Sequence, residues 1–397
     1  MKIAIVVGTR PQLIKLAVLS AALERKGLPF FVVHTGQHYD FELSSEIIEE
    51  LQIGHIAYNL EVGSNPWETQ IELGVRRLVP VLQQEHATHV VVIGDSNPAI
   101  VGANAAEELS LPIIHCESGL RNYEQNSLEE TNRRTIDGSA QLHFCSTEEN
   151  FLTVSRECSD AAVCTGDLLV DAFYEFGHLS KVPKALPEAV RGRRFLLLTM
   201  HRDENTRDQD KLARIIHSIL MSCDDVVIWP IHPKLRCFAS HVSANIDSGL
   251  TKKLILIPSA SYQELNYIKS HANLIITDSV GLQVESYLWR IPCIAVRDHV
   301  EHRKLNDVGA TIAISPVDAA TPSLRKIIQA ARDIDWNKVP PHLFGRPGVA
   351  DQMVEYIDRF VRGDVTRNRI GERFIELAAK FAEFGLNRRL EREFFDA

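Results

Sequence analysis

Short apolar segments recur along this chain, and longer amphipathic segments separate them. The apolar segments are residues 3–7, 30–33, 89–93, 113–116, 142–145, 195–198, 226–229, 254–257, 274–276 and 293–296. Runs of this length without polar alternation are typical of strands buried on both faces of a parallel sheet. The segments between them, such as residues 13–23 and 67–82, have the periodicity of amphipathic helices. The alternation predicts βαβ units and an α/β fold.

The chain has 397 residues, which fits two domains of roughly 100 to 200 residues each. The alternating pattern weakens between residues 176 and 194, where Lys, Pro and Gly become frequent. We therefore predict a first doubly wound domain at residues 1–175, a linker at 176–194, a second doubly wound domain at 195–355 and a helical extension at 356–397. Open parallel sheets bind ligands beyond the carboxyl ends of their strands, so we expect the site in a cleft between the domains.

Charge and cysteine content narrow the classes of function. Lys and Arg total 43 against 52 Asp and Glu, and the resulting net charge of −9 disfavours nonspecific binding to nucleic acid. No apolar segment approaches the roughly 18 residues that cross a bilayer, and the first residues lead directly into a predicted strand. The 7 cysteines are scattered without a Cys-x-x-Cys pair, which is typical of a reducing compartment and of no structural zinc. We expect a cytoplasmic protein without nucleic-acid or membrane partners.

A glycine turn after the first predicted strand is a candidate anion site. Residues 8–15 combine Gly8 with Arg10 and Lys15 in the first turns of a predicted helix. Free backbone amides and two cations suit a phosphate or diphosphate. The segment is neither a P-loop nor a G-x-G-x-x-G motif, and a surface turn with incidental cations explains it equally well.

Carboxylates follow the next strands of the first half. Asp95 comes after residues 89–93, Glu117 directly follows residues 113–116, and Glu129 lies twelve residues further on. Carboxylates that converge on one cleft raise at least one pKa, and this gives an acid and a base near neutral pH. The alternatives are a helix N-cap for Asp95 and a solvated helix face for Glu129.

The second half repeats this placement of polar residues after strands. They are His201, Arg202, His232, Ser279, Gly281 and Glu285. Ser279 and Gly281 at a helix start can hold a phosphate through backbone amides, while Glu285 can accept the hydroxyls of a ribose. A sugar nucleotide is the ligand these residues favour. His201 could be a core or capping histidine, but its position after a strand and beside Arg202 favours a functional role.

Together these motifs resemble the non-hydrolysing UDP-N-acetylglucosamine 2-epimerase family over about residues 1–360. The matching motifs are Gly8-Thr9-Arg10-Pro11, Thr35-Gly36-Gln37-His38, Gly94-Asp95, His115-Cys116-Glu117, Glu129-Glu130, Asn132-Arg133, Thr165-Gly166-Asp167, His201-Arg202, His232-Pro233 and Thr277-Asp278-Ser279. Residues 8–15 and 59–64 look more like the branch that acts on modified sugars such as UDP-2,3-diacetamido-glucuronate.

The resemblance implies a GT-B-like pair of Rossmann-like domains, often as a homodimer, in polysaccharide biosynthesis. The family's reaction removes the C2 proton and expels UDP to give a glycal, and re-addition of UDP gives the 2-epimer without a metal or redox cofactor. The resemblance assigns catalytic roles to Asp95, Glu117, Glu129 and His201. The residues that it assigns to substrate binding are Arg10, Lys15, Arg202, His232, Ser279, Val280, Gly281, Glu285 and His302.

Some positions depart from the family pattern. Val280 stands where glycine is usual, Val284 replaces a carboxylate, and His302 stands at the position of a phosphate-binding arginine, with Arg303 as a neighbouring substitute. These changes keep other functions open. The alternative functions are those of a GT-B glycosyltransferase, a hydrolysing UDP-sugar 2-epimerase and a non-catalytic sugar-nucleotide binder.

Overall fold

The computed structural model describes residues 1–36, 41–54, 56–124, 127–158, 161–231, 235 and 246–363. Its first sheet is 7-stranded, with the order β3-β2-β1-β4-β5-β6-β7 and parallel pairing throughout. These strands are β1 (Ile3–Val7), β2 (Phe30–His34), β3 (Ile56–Asn59), β4 (His89–Ile93), β5 (Ile113–Cys116), β6 (Leu142–Cys145) and β7 (Ala162–Cys164).

The second sheet is 6-stranded and also parallel, with the order β10-β9-β8-β11-β12-β13. Its strands are β8 (Phe195–Thr199), β9 (Val227–Ile231), β10 (Leu254–Pro258), β11 (Ala272–Thr277), β12 (Cys293–Val296) and β13 (Thr311–Ile314). The strand order reverses between β1 and β4 in one sheet and between β8 and β11 in the other. The predicted doubly wound α/β fold is therefore confirmed.

Helices connect the parallel strands in both halves. In the first half they are α1 (Arg10–Lys26), α2 (Phe41–Glu50), α3 (Trp67–Gln84), α4 (Asn97–Glu108), α5 (Leu128–Ser139), α6 (Glu148–Glu157) and α7 (Leu168–Phe176). In the second half they are α8 (Asp203–Thr206), α9 (Gln209–Ser222), α10 (Ser248–Thr251), α11 (Tyr262–His271), α12 (Val280–Leu288), α13 (Arg303–Asp307), α14 (Pro316–Ala319), α15 (Leu324–Arg332) and α16 (Val349–Val361).

Strand β1 shows why an unbroken apolar run marks a central strand. Ile3, Ile5 and Val7 enter the hydrophobic cluster that α1 covers, whereas Ala4 and Val6 enter the cluster on the opposite face of the sheet. All five side chains are buried, since helices cover both faces. Polar alternation would place a polar side chain in one of the two clusters.

Three strands were not predicted from the sequence, and all of them lie at sheet edges. They are β3, β7 and β13. β3 is half-buried to exposed along its length, and β13 is only half-buried in its middle. An edge strand has one neighbouring strand, so its sequence needs no continuous apolar run.

The chain returns to the first domain after the second sheet. Met353, Val354 and Ile357 of α16 are buried in the cluster that contains Leu13 and Leu16 of α1. α16 thus extends the core of the first domain, and it runs across the domain boundary expected at residue 355. Residues 364–397 of the predicted helical extension lie outside the described residues.

Asp171 holds the start of this returning helix. Its carboxylate accepts hydrogen bonds from the Gly348 and Ala350 amides, both at 2.7 Å. The acceptor belongs to α7, so it joins the last described helix to the first domain. Within the part of the chain that the structure describes, no helix is both long and apolar enough to span a membrane.

We expect Asp171→Ala to lower the free energy of unfolding by about 1–3 kcal/mol, because two amides at a helix start lose their acceptor. Chemical denaturation measures this loss. Asp224→Ala is the control, since the Asp224 side chain is 97% exposed. Equal stability of the two variants would contradict the role of Asp171.

Candidate active site

The carboxyl edges of the two sheets face each other, and direct hydrogen bonds join them. Glu50 accepts from the Ser261 hydroxyl at 2.6 Å and from the Gln263 amide at 3.1 Å. Closer to the strand ends, Asn122 donates to Glu301 at 3.3 Å. The expected cleft therefore exists, and the polar residues that follow the strands line it.

The turn after β1 is locked in place by Gln12. Its side-chain oxygen accepts from the Gly8 and Thr9 amides, at 2.9 and 3.0 Å, and its amide nitrogen donates to the Ile93 carbonyl of β4 at 2.8 Å. Gly8 is required here, because a Cβ atom would lie 2.0 Å from the Thr35 hydroxyl.

Arg10 follows this turn as the first residue of α1. It donates to the Ala260 carbonyl of the second domain. Its Nη2 atom is buried and has no hydrogen-bond partner among the described residues. Burial lowers the pKa of Arg10 despite nearby carboxylates. A buried guanidinium with an unused donor is suited to an anionic ligand.

Lys15 and Glu117 form an ion pair at the centre of the first domain's edge. The Lys15 Nζ atom also lies 3.8 Å from the Asp167 Oδ1 atom. Burial opposes the charge on Lys15, but Asp167 and Glu117 raise the pKa of the lysine above its usual value. Burial raises the pKa of Glu117, and Asp167 and Asp95 add to this effect while Lys15 opposes it. Glu117 is thus a carboxylate with increased affinity for a proton.

Glu117 has an unusual backbone conformation, with φ 73°. Non-glycine residues in this left-handed region cost about 1 kcal/mol or more. The amides of Glu117 and Ser118 both donate to the Phe144 carbonyl at 3.0 Å, and this fixes the turn. The carboxylate lies over Gly94, where a Cβ atom would be 3.0 Å from its Oε2 atom. This turn thus places the Glu117 carboxylate beside Gly94 and Lys15.

Asp95 pairs with Arg133, a buried residue of α5. The same guanidinium lies 3.4 Å from Glu130 and 3.5 Å from Glu301 of the second domain. Burial opposes ionisation of Asp95, but Arg133 and Arg202 lower its pKa below the usual value. Asp95 is therefore kept ionised, in contrast to Glu117.

Glu301 was not predicted as a site residue. Its Oε1 atom accepts from Arg297 at 3.0 Å, and its Oε2 atom is buried without a hydrogen-bond partner in the described part of the chain. Arg297 and Arg133 lower the pKa of Glu301 against the effect of its burial. In the sequence, the signal for a role of Glu301 at the site was its position directly before His302 and after strand β12.

Behind Glu117 lies a buried network centred on Asp137. Asp137 Oδ1 is 2.8 Å from His115 Nδ1, and its Oδ2 accepts from Arg121 at 2.7 Å and from the Gly119 amide at 3.1 Å. The second ring nitrogen of His115 lies 3.0 Å from the Gly94 carbonyl. The network joins the turns that carry Asp95 and Glu117.

The ligand atoms of His115, Asp137 and His143 lie within 4.8 Å of one another, a spacing that a metal ion could use. However, both nitrogens of His115 face acceptors, and both nitrogens of His143 lie near Ser118 or the Ala140 carbonyl. The Arg121 cation also contacts Asp137 directly. We therefore interpret this cluster as a structural hydrogen-bond network.

Asp278 positions the predicted residues His201 and Arg202 in the second domain. It is fully buried after β11, and its carboxylate accepts from the amides of both residues at 3.0 Å. His201 Nδ1 lies 3.2 Å from the same carboxylate, while the side chain is 41% exposed. Arg202 reaches across to Glu129 of the first domain at 3.5 Å.

The start of α12 retains the geometry of an anion site despite Val280. Ser279 is the N-cap, and its hydroxyl accepts from the Leu282 amide at 3.3 Å. Val280 begins the helix and has no positive φ, so its side chain imposes no left-handed strain. A Cβ atom at Gly281 would meet nothing within 4 Å, which leaves open space beside the first turn.

Glu285 on the same helix pairs with Lys269, which was not predicted as a site residue. The Lys269 Nζ atom is 2.7 Å from Glu285 Oε1 and lies 5.6 and 5.5 Å from the ring centroids of Tyr262 and Trp289. Burial lowers the pKa of Lys269, while Glu285 raises it. Lys269 follows no predicted strand, so nothing in the sequence indicated a role at the site.

His302 does not supply the cation of the arginine it replaces. The ring is buried against Phe344, with 5.2 Å between centroids, and burial lowers its pKa to about 4. Arg303 lies over the Tyr123 ring at 5.3 Å. His232, the remaining predicted binding residue, lies outside the described residues.

Comparison with known proteins places these features in context. A family model described as UDP-N-acetylglucosamine 2-epimerase matches residues 21–358. UDP-N-acetylglucosamine 2-epimerase of Methanocaldococcus jannaschii is 32% identical over 324 residues, which cover 79% of this chain and 88% of that protein. UDP-2,3-diacetamido-2,3-dideoxy-D-glucuronate 2-epimerase of Pseudomonas aeruginosa is 31% identical over 341 residues, or 83% of this chain and 94% of that protein.

A crystal structure provides the same comparison in three dimensions. UDP-GlcNAc 2-epimerase of Methanocaldococcus jannaschii, in complex with UDP-GlcNAc and UDP, matches with a TM-score of 0.81 and 30% sequence identity. The match covers 90% of this chain and 99% of that chain. Sequence and structure therefore agree over nearly the whole described length.

We expect Asp137→Asn to lower the free energy of unfolding by about 1.5–3 kcal/mol near neutral pH, since Arg121 would keep only the partly exposed Glu157 as a carboxylate partner. Hydrogen bonding to His115 and the Arg121 charge lower the pKa of Asp137 despite its burial. Its ionised form therefore stabilises the folded protein above about pH 4, and this contribution is lost as the pH falls further.

Denaturation of both proteins at several pH values measures this difference, which should shrink in acid. Asp307→Asn at the exposed end of α13 is the control. A deficit that stays constant into the acid range would show that the Asp137 charge does not stabilise the fold.

Proposed function

The chain belongs to the UDP-N-acetylglucosamine 2-epimerase family, and we propose that it is a non-hydrolysing 2-epimerase of a UDP-activated N-acetyl amino sugar. The family model covers most of the chain, and the relatives include epimerases of two such sugars. The GT-B-like arrangement expected from the resemblance is confirmed by the structural match. The observation that carries the proposal is the set of separate carboxylates, Asp95, Glu117 and Glu129, at one face of the cleft.

The environments of these carboxylates support different roles. Glu117 has a raised pKa and takes the C2 proton of the sugar in our proposal. The C2–H electron pair forms the C1–C2 double bond of the glycal. The C1–O bond breaks, and its electron pair leaves with UDP. Asp95 is kept ionised by Arg133, so it suits stabilisation of positive charge that develops at C1. Glu129 lies beside Arg202. We propose that its carboxyl group transfers the proton at the opposite face of C2.

The expulsion of UDP needs positive charge at the diphosphate, because a C2 proton without an adjacent carbonyl is weakly acidic. We assign this part to the unused Arg10 donor, to Lys15, and to His201 and Arg202 at the opposite edge. The amides at the start of α12 add to it, since Ser279 to Gly281 form its first turn.

Glu285 is proposed to accept the ribose hydroxyls. Val284, which replaces a carboxylate of the family pattern, is buried in the core beside α7 and leaves Glu285 as the acid of this turn. The neutral His302 means that this site holds the diphosphate with one cation fewer than the family pattern implies.

A GT-B glycosyltransferase would share the fold, but it needs one base for an acceptor hydroxyl and has no use for distinct carboxylate environments. The hydrolysing epimerase and the non-catalytic binder differ from the proposal in their products, so the first experiment below separates them. A homodimer, a cytoplasmic location and a role in polysaccharide biosynthesis belong to this proposal as further predictions.

Proton NMR in heavy water tests the function with UDP-N-acetylglucosamine and UDP-2,3-diacetamido-glucuronate as substrates. We expect the 2-epimer of one of them, with deuterium at C2, because the removed proton exchanges with solvent. Free UDP with a free 2-epimerised sugar would indicate the hydrolysing reaction. Bound but unchanged sugars would contradict the assignment for these substrates.

Glu117→Gln should abolish turnover and leave UDP affinity within a few-fold, because the amide retains the shape but cannot take a proton. Calorimetric titration with UDP and the NMR assay measure the two quantities separately. Glu124→Gln, on the loop that follows Glu117, is the matched control. A large loss of UDP affinity would instead mean that Glu117 holds the ligand.

A further inference from the structure

Asp167 is a buried carboxylate at the active site for which the proposed reaction gives no role. It is 1% exposed and follows strand β7 as the N-cap of α7, where Oδ1 accepts from the Leu169 amide at 2.9 Å. Its backbone amide donates to the Phe344 carbonyl at 2.8 Å. The other carboxylate oxygen, Oδ2, is buried and has no hydrogen-bond partner among the described residues.

A helix cap needs only one oxygen and no charge, so capping does not explain a buried aspartate here. Ser, Thr or Asn would cap α7 without placing a second anion beside Lys15. The unpartnered Oδ2 atom makes the carboxylate still more unfavourable, because a buried polar atom without a partner costs free energy. The nearest compensating charge is Lys15, 3.8 Å from Oδ1.

Lys15 is shared between two buried carboxylates. It forms an ion pair with Glu117 and lies next to Asp167, and all three side chains are largely removed from solvent. A single cation next to one carboxylate favours its ionised form and weakens it as a base. A second carboxylate beside the same cation offsets that effect.

Other charges near the cluster do not replace this arrangement. The groups that face Glu117 or Asp167 from neighbouring elements are Lys15, Asp95, Cys116 and His302. Asp95 is paired with Arg133, and burial keeps the Cys116 thiol and the His302 ring neutral by raising the pKa of one and lowering the pKa of the other. Lys15 therefore remains the cation that Glu117 and Asp167 share.

We propose that Asp167 is a positioning residue that acts on Glu117 through Lys15, taking up part of the lysine charge so that Glu117 remains a strong enough base to accept the C2 proton. This inference rests on the proposed function. The balance is electrostatic and forms no covalent bond. Asp167 touches Lys15 and not the reacting carbon.

Asp167→Asn tests this role, because the amide retains the cap and the size but removes the charge. We expect kcat to fall about 5- to 50-fold and the acidic limb of the kcat profile to move about one pH unit lower, since Glu117 becomes a weaker base. UDP affinity should not fall, because the substitution removes no ligand contact and leaves more of the Lys15 charge for the diphosphate. Asp167→Ser is the second variant, which retains the cap if Asn perturbs folding.

Asp208→Asn is the matched control. Asp208 also caps a helix, through the Lys211 amide at 2.9 Å, but it stands at the exposed start of α9. The control should retain the wild-type pH profile. Loss of stability together with an unshifted profile in Asp167→Asn would overturn the proposal and leave Asp167 as a helix cap only.

A second readout does not depend on turnover. NMR titration of protein with ¹³C-labelled glutamate carboxyl groups, with the Glu117 signal assigned by its loss in Glu117→Gln, follows protonation of this carboxyl directly. The midpoint should fall by about one pH unit in Asp167→Asn. An unchanged midpoint would overturn the inference, whereas absence of turnover in the wild-type protein would overturn only the proposed function.

Discussion

The common direction of the strands determines where everything else in this protein lies. Because every described pair is parallel, the carboxyl ends of each sheet meet at one edge, and the loops that follow them converge there. Two such edges face each other, so the cleft collects many charged side chains in a confined, partly dry space. Buried cations that contact more than one carboxylate help to stabilise these charges, as Arg133 does with Asp95, Glu130 and Glu301 and Lys15 with Glu117 and Asp167.

Central strands and the positions of the candidate site residues were predictable from the sequence, because both follow from local pattern. An unbroken apolar run such as β4 indicates burial on both faces, and the polar residue after it must reach the sheet edge. The edge strands β3, β7 and β13 carry no such signal, whereas the edge strand β10 does. The partners of the site residues were also not predictable, since the contact of Lys15 with Asp167, and that of Arg133 with Glu301, join residues far apart in the chain.

The charge balance of the cleft differs from what residue types alone suggest. His302 is neutral because Phe344 and the surrounding core remove it from water, and Lys15 is divided between carboxylates. Substrate charge must therefore be balanced by fewer available cations than the sequence contains. Burial keeps His302 neutral and increases the proton affinity of Glu117. The same physical effect therefore removes a cation from the site of the leaving group and strengthens the base.

The return of α16 to the first domain has a consequence for the order in which the chain acquires its structure. During synthesis, the segment that ends at α7 leaves the ribosome long before α16 does. Until then the apolar surface of α1 and α7 that α16 covers remains exposed to water. The second domain, whose strands are contiguous in sequence, can complete its own core first. The domain made first is thus finished last.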